Sequence, residues 1–183
     1  IPSFAITTNG MHDYTYGAGL ALAKIAERFV RKSETAEEKS SFRYGNPASA
    51  ETERRQHHTL NLLGITPLDF GPQENAEAMK QKFKEHGWEV ISSWAMGDSL
   101  EQLSHAGEAE VNLVVSSVGL LTARVLEEKF GTPYIIGTPI DGFGEELIQV
   151  LNEPVKHQYT SEKPEMSERN VPYLKKRLQA PPE

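Results

Sequence analysis

The sequence predicts an α/β fold: a three-layer α/β/α sandwich around a four-stranded parallel sheet of order 2-1-3-4, flanked by an N-terminal strand and helix and a C-terminal helix. Three observations predict it. Between residues 58 and 152, an apolar run, a turn and an amphipathic helix recur four times. The run at 111–115 is almost continuously apolar, which is typical of a parallel strand covered on both faces. The short spacing of alternating strands and helices favours right-handed crossovers.

Each strand and helix has its own signal. The strands are predicted at 59–64, 88–94, 111–115 and 133–137. Ala76, Met79 and Phe83 recur at helical spacing after the first strand, and Gly87 marks the end of that helix. Asp98 stands three residues before Glu101, which predicts a capping box at the start of the second helix. The last two helices of the sandwich are predicted at 119–130 and 142–151.

The flanks predict a domain that continues beyond both ends. Residues 1–57 are expected to end a preceding domain, with a strand at 1–8, a helix at 17–32 and a long polar loop at 33–56. The α/β domain itself is predicted at 58–153. Residues 154–183 are expected to form a linker, with a helix at 171–178, that leads to a further domain. Because the chain begins with Ile1 rather than Met, we expect it to be a piece of a longer protein.

Composition excludes several classes of protein. The formal net charge of −7 argues against non-specific DNA binding, which needs a concentrated basic surface. No apolar stretch reaches the length of about 18 residues that a membrane span requires, and no signal peptide is visible, so we expect a cytoplasmic protein. The chain has no cysteine, which excludes a disulfide scaffold and a thiolate-held zinc or iron–sulfur site within it.

Cofactor motifs are weak. No phosphate-binding glycine motif follows the first strand, and Gly142-Phe143-Gly144 follows the fourth. We interpret that glycine pair as a helix entry that needs small residues, although a helix N-terminus can also bind an anion. His57 and His58 precede the first strand, on the edge opposite to the one where ligands bind in open α/β sheets. The sequence therefore predicts no metal site.

The carboxyl ends of the strands are the candidate site. If the protein binds a substrate or cofactor at this domain, the loops that follow the strands should line the pocket. The candidate residues are Thr66, Gly97, Asp98, Ser116, Ser117, Thr138 and Asp141. The alternative is ordinary turn and helix-capping chemistry, which is favoured for Asp98 and Ser117. No catalytic residue can be assigned.

Three segments resemble the nitrogenase component 1 family, which includes nitrogenase-like reductases. The first is IPSFAITTNGM at 1–11, followed by Gly17 and a helix. The second is LNLLG at 60–64, which is similar to the strand that opens the family's middle domain. The third is VNLVVS at 111–116, which continues to LEEKFGTPY at 126–134. The third segment is the most specific of the three.

The resemblance implies an oxidoreductase: part of a substrate or metal-cofactor pocket in an ATP-driven electron-transfer reductase. It places Ser116 where nitrogenase has a cysteine that ligates its metal cluster. A hydroxyl is a poor ligand for soft iron, so dinitrogen reduction is not expected, and relatives that reduce tetrapyrrole rings are the closer comparison. An iron–sulfur cluster is implied for the full-length parent but not for this chain, which alone should be inactive.

The resemblance also implies two protein partners: a homologous component 1 subunit and an ATP-dependent reductase of the iron-protein type. One alternative remains open at this point. Similar small α/β domains occur in carriers and chelatases, so the chain could be a non-catalytic module that binds a tetrapyrrole or a metal chelate. Cluster-binding cysteines upstream of Ile1 would favour the reductase over the binding module.

Overall fold

The computed structural model describes residues 3–7, 11, 13–32, 58–139 and 144–152. Its α-helices are α1 (Tyr14–Phe29), α2 (Pro67–Phe70), α3 (Gln73–Glu85), α4 (Leu100–Ser104), α5 (Leu120–Phe130) and α6 (Gly144–Asn152). Two short 3-10 helices are η1 (Ala106–Glu108) and η2 (Ser117–Gly119). The strands are β1 (His58–Leu63), β2 (Trp88–Trp94), β3 (Val111–Val114) and β4 (Tyr134–Ile136). No described helix is long and apolar enough to cross a membrane.

The four strands form one parallel sheet of order β2-β1-β3-β4, which confirms the predicted topology. The central strands β1 and β3 pair with Leu60 opposite Val111 and Leu63 opposite Val114. On its other side, β1 pairs with β2 with a shift of register between Leu60 and Asn61. Because β1 and β3 are both buried along most of their length, their apolar runs lack the alternation of a half-exposed strand.

Each face of the sheet has its own apolar core. On one face, alternate strand residues such as Leu60 and Leu113 pack with Phe83 of α3 and Leu147 of α6. On the other, the intervening strand residues pack with α1, α4 and α5, through side chains that include Leu63, Val114, Ala26, Leu103 and Leu126. The strand periodicity of two thus builds the predicted sandwich, with helices on both faces of the sheet.

A chain of polar side chains crosses the centre of the second face. Asn61 Nδ2 donates to Asn112 Oδ1 at 2.7 Å and to the Ala106 carbonyl at 2.8 Å. Ser92 Oγ donates to Asn61 Oδ1 at 2.7 Å, and Asn112 Nδ2 donates to the Thr132 carbonyl at 3.2 Å. Every polar atom of the Asn61 amide therefore has a partner although the residue is fully buried.

Helix α1 covers the second face beside α5. It begins at Tyr14 rather than at the predicted residue 17, because Asp13 Oδ1 accepts a hydrogen bond from Tyr16 N at 3.0 Å and caps the helix. At its other end, Lys129 Nζ donates to the carbonyls of Ala26, Glu27 and Val30 at 3.3, 2.8 and 3.2 Å. The lysine thus satisfies carbonyls that the helix itself leaves without partners.

Residues 3–7 form no strand, so the strand predicted at the N-terminus is wrong for that stretch. The aromatic ring of Phe4 packs edge-on against Phe29 of α1, with 6.1 Å between centroids. The apolar residues of this segment therefore face a helix instead of a strand. The loop predicted at 33–56 and the helix predicted at 171–178 lie outside the described residues.

Candidate functional site

The parallel topology brings the candidate residues to one edge of the sheet. Because all four strands run in the same direction, the loops that follow them meet at the carboxyl edge. The residues placed there are Thr66 after β1, Gly97 and Asp98 after β2, Ser116 and Ser117 after β3, and Thr138 after β4. Asp141 lies outside the described residues.

Thr66 uses its hydroxyl within the fold. The residue is buried, and its Oγ1 accepts from Asp69 N at 3.3 Å and donates to Asp69 Oδ2 at 2.9 Å. This pair caps α2, a short helix in which Pro67 occupies the first turn. Thr66 therefore orders the turn after β1 and has no exposed polar group to offer a ligand.

Asp98 does not cap α4, so the predicted capping box with Glu101 is wrong. The box lies one residue later: Ser99 Oγ accepts from Gln102 N at 3.3 Å, and Ser99 N donates to Gln102 Oε1 at 2.9 Å. Asp98 turns back towards the sheet and accepts from Ser93 N and from Lys80 Nζ, each at 2.6 Å. Its side chain is only 3% exposed, so it closes the turn after β2.

The turn after β2 contains an unusual backbone conformation. Ala95 has a φ of +92°, a region that non-glycine residues rarely adopt, and Gly97 has a φ of +98°. A Cβ at Gly97 would lie 3.2 Å from Lys80 Nζ, so glycine also leaves room for the ion pair between Lys80 and Asp98. Ser93 Oγ donates to the Met96 carbonyl at 2.8 Å and fixes the middle of the turn.

Ser116 joins the ends of the two central strands. Its Oγ donates to the Gly64 carbonyl at 2.7 Å, across the gap between β1 and β3. The approach is so close that a Cβ at Gly64 would lie 2.8 Å from Ser116 Oγ, and one at Gly119 would lie 2.4 Å from the Leu63 carbonyl oxygen. Glycine is required at both positions, and the Ser116 hydroxyl is a clamp between strands.

Ser117 is the candidate whose side chain faces solvent. It begins η2, and neither η2 nor α5 has a side-chain cap at its start, so the proposed capping role of Ser117 is not seen. On the neighbouring strand end, Thr138 Oγ1 donates to the Val115 carbonyl at 2.8 Å. That bond holds the end of β4 beside the loop in which Ser117 lies.

The residues present do not fit an iron–sulfur cluster or another metal. The chain has no cysteine, and among the described residues no group of three or more His, Cys, Asp or Glu side chains could hold a metal ion. The Ser116 hydroxyl already donates to a carbonyl. His58 lies at the opposite edge of the sheet, where its ring stacks on Trp88 and its Nδ1 lies 2.9 Å from Glu110 Oε2.

Two features were not foreseen from the sequence. The Asn61–Asn112 bond has a weak signal, since each asparagine stands inside an otherwise apolar strand. Lys80 had no signal, because a lysine on an amphipathic helix is usually solvated, whereas here it bonds Asp98 and Glu77. These contacts depend on which helix face meets which loop, and that is settled only by tertiary packing.

A sheet of this topology with helices on both faces defines an α/β domain, and comparison with known proteins assigns the family. The chain belongs to the nitrogenase component 1 type oxidoreductases, whose family pattern matches residues 3–179. The resemblance carried by the three sequence segments is thereby confirmed.

The similar relatives bear one name, which describes a subunit of light-independent protochlorophyllide reductase. The protein from Synechococcus sp. (strain JA-3-3Ab) is 33% identical over 138 residues, 72% of this chain and 25% of that protein. The protein from Crocosphaera subtropica (strain ATCC 51142 / BH68) is 31% identical over 124 residues, 67% of this chain and 22% of that protein. The protein from Chlorokybus atmophyticus is 38% identical over 83 residues, 45% of this chain and 16% of that protein. The chain thus spans a quarter or less of these relatives' length.

Proposed function

We propose that this chain acts within a nitrogenase-like reductase as part of a component 1 subunit, and that the carboxyl edge of its sheet forms one wall of a pocket in which a tetrapyrrole is reduced. The observation that carries the proposal is membership of the component 1 family, together with relatives named for protochlorophyllide reduction. The sheet edge supports it, because ligands of open parallel α/β sheets bind there.

In this proposal the chain supplies shape and hydrogen bonds and leaves the electron chemistry to its partners. Reduction of one ring double bond consumes two electrons and two protons. The electrons would come from an ATP-dependent reductase through an iron–sulfur cluster held elsewhere in the component 1 assembly. This chain offers no thiolate and its Ser116 hydroxyl is engaged, so dinitrogen reduction on a metal cluster is not part of the proposal.

The alternative is a module that binds a tetrapyrrole or metal chelate without redox chemistry. It is supported by one observation: at the described part of the carboxyl edge, the acidic side chains of Asp69 and Asp98 are engaged in bonds within the protein. No proton donor for a reduction is therefore evident in the described residues of this chain. A binding module and a reductase subunit differ in whether bound pigment is turned over.

The deciding experiment uses protochlorophyllide as a tetrapyrrole probe, with the protein assembled with a component 1 partner subunit. Binding is followed by absorbance, and turnover by product formation after the ATP-dependent reductase, ATP and a reductant are added. We expect binding without the reductase and reduction only when all components are present. Binding without turnover in the complete mixture would favour the non-catalytic module, and no binding would contradict both functions. The chain alone should show no turnover.

A further inference from the structure

The place where a ligand would ordinarily enter this sheet is closed. The chain moves from β1 to β2 on one side and then to β3 and β4 on the other, so the topological switch point lies between β1 and β3. Ligands of open α/β sheets usually bind in the crevice at that point. Here η2 fills it, since a Cβ at Gly119 would lie 2.4 Å from the Leu63 carbonyl oxygen. Ser116 Oγ also bonds the Gly64 carbonyl across the crevice.

The two sides of the closed crevice differ in charge. On the β1–β2 side, the residues after the strands and the α3 side chains bonded to them carry several charges: Asp69, Glu77, Lys80, Asp98 and Glu101. On the β3–β4 side, the described residues 115–119 and 136–139 carry none. Covering charged groups with an apolar ligand costs desolvation free energy, so the uncharged side is the better surface for a neutral ring.

The β3–β4 side also exposes apolar surface. Ile136 ends the edge strand β4 and is 67% exposed. No charged residue or proline interrupts β4, although such residues commonly protect an edge strand. The exposed residue Ser117 follows the neighbouring strand, and the bond from Thr138 to Val115 keeps the two strand ends together. An isoleucine and an exposed hydroxyl thus lie on adjacent strand ends.

We propose that the tetrapyrrole lies over the ends of β3 and β4, with its ring against Ile136 and a polar ring substituent near the Ser117 hydroxyl, and that it does not enter the crevice between β1 and β3. This inference rests on the proposed function and specifies where in the proposed pocket the substrate binds. Ile136 is a contact residue for the ring, whereas Ser116 and Gly119 act indirectly by keeping the crevice closed.

The test is Ile136→Asp, with Leu68→Asp as its matched control. Leu68 is 73% exposed at the same edge but follows β1, so both variants place a carboxylate on an exposed apolar side chain. In titrations of the tetrapyrrole probe into the assembled protein, Ile136→Asp should raise the dissociation constant by about tenfold or more. Leu68→Asp should change it by less than about twofold. Equal affinity of Ile136→Asp and wild type, or equal weakening in both variants, would overturn the inference.

Two further measurements keep the test decisive. Ile136→Thr removes apolar contact without adding charge, so it should weaken binding by a few fold even if the aspartate variant fails to fold. If wild type binds no probe, the proposed function fails. If wild type binds and both Ile136 variants bind equally well, the inference alone fails. If Ile136→Asp prevents subunit assembly in the absence of the probe, the face is a protein interface, and the inference is overturned.

Discussion

Asn61 and Asn112 are directly paired across the two central strands, with the amide nitrogen of Asn61 2.7 Å from the amide oxygen of Asn112 and both residues fully buried. The pair extends to β2, where Ser92 Oγ donates to Asn61 and Trp94 Nε1 donates to Ser92. A one-residue slip of any of these strands would leave buried polar groups without partners. The chain of bonds therefore selects one register for β2, β1 and β3.

Replacing Asn61 with leucine should destabilise the protein although leucine is similar in size and more apolar. Asn61→Leu would leave Ser92 Oγ, Asn112 Oδ1 and the Ala106 carbonyl without a partner. Buried polar groups without partners cost on the order of 1–3 kcal/mol each, so we expect a loss of about 2–4 kcal/mol in urea unfolding. The double variant Asn61→Leu, Asn112→Leu should lose less than the sum of the two single variants. A loss below about 0.5 kcal/mol for Asn61→Leu would contradict the role of the network.

Lys129→Met should loosen α1 from α5. The methionine keeps most of the apolar stem but cannot donate to the carbonyls of Ala26, Glu27 and Val30. Because these bonds are partly exposed, we expect a loss of about 1 kcal/mol, with faster hydrogen exchange at the end of α1. Lys24→Met is the control: Lys24 lowers the pKa of the Glu27 carboxyl through an exposed hydrogen bond, and its loss should leave the unfolding midpoint unchanged. Equal effects of the two variants would argue against a specific cap.

Ala95→Gly should stabilise the protein. Ala95 is exposed, so little packing is lost, and glycine adopts a φ of +92° without the steric cost that alanine bears. We expect a gain of about 0.5–1 kcal/mol in the free energy of unfolding. Ala95→Val should lose at least about 1 kcal/mol, because a β-branched side chain fits this conformation poorly. The description of the turn is wrong if glycine destabilises and valine has no effect.

Gly119→Ala and Gly17→Ala should have opposite signs. A Cβ at Gly119 would meet the Leu63 backbone at 2.4 Å, and since backbone atoms cannot move aside, we expect a loss of at least about 2–3 kcal/mol. Gly17 lies in helix α1 with open space around its Cβ position, so alanine should add up to about 1 kcal/mol. Thermal unfolding of both variants measures this difference. A tolerated Gly119→Ala would mean that the crevice between β1 and β3 is open.

The strand order and most helices followed from the sequence because they depend on local patterns. The apolar run at 111–115 identified a central strand, and Gly131 after Phe130 marked the end of α5, where it adopts a left-handed φ of +72°. Three parallel crossovers then left few topologies to choose from. The N-terminal segment misled the prediction, since its apolar residues suit a strand as well as a coil packed on a helix.

The candidate site was predictable in position but not in the use of its side chains. Topology alone places Thr66, Asp98 and Ser116 at the carboxyl edge. Whether each hydroxyl or carboxylate faces a ligand or the protein depends on bonds to distant residues: Lys80 for Asp98 and Gly64 for Ser116. Such bonds have no local signature, so the sequence could not distinguish the clamp at Ser116 from the exposed neighbour Ser117.

The most direct measurement uses the absence of cysteine from this chain. Ser117→Cys and, separately, Leu68→Cys each introduce a single thiol in the chain, at exposed positions on opposite sides of the closed crevice. Each variant is assembled with its partner subunit, and the labelling rate of this chain's thiol by a maleimide is measured with and without saturating tetrapyrrole. A bound ring over β3 and β4 should slow labelling of Ser117→Cys by about tenfold or more and leave Leu68→Cys within about twofold. Unchanged labelling of Ser117→Cys in the presence of bound tetrapyrrole would contradict the proposal that this sheet edge forms the pocket wall.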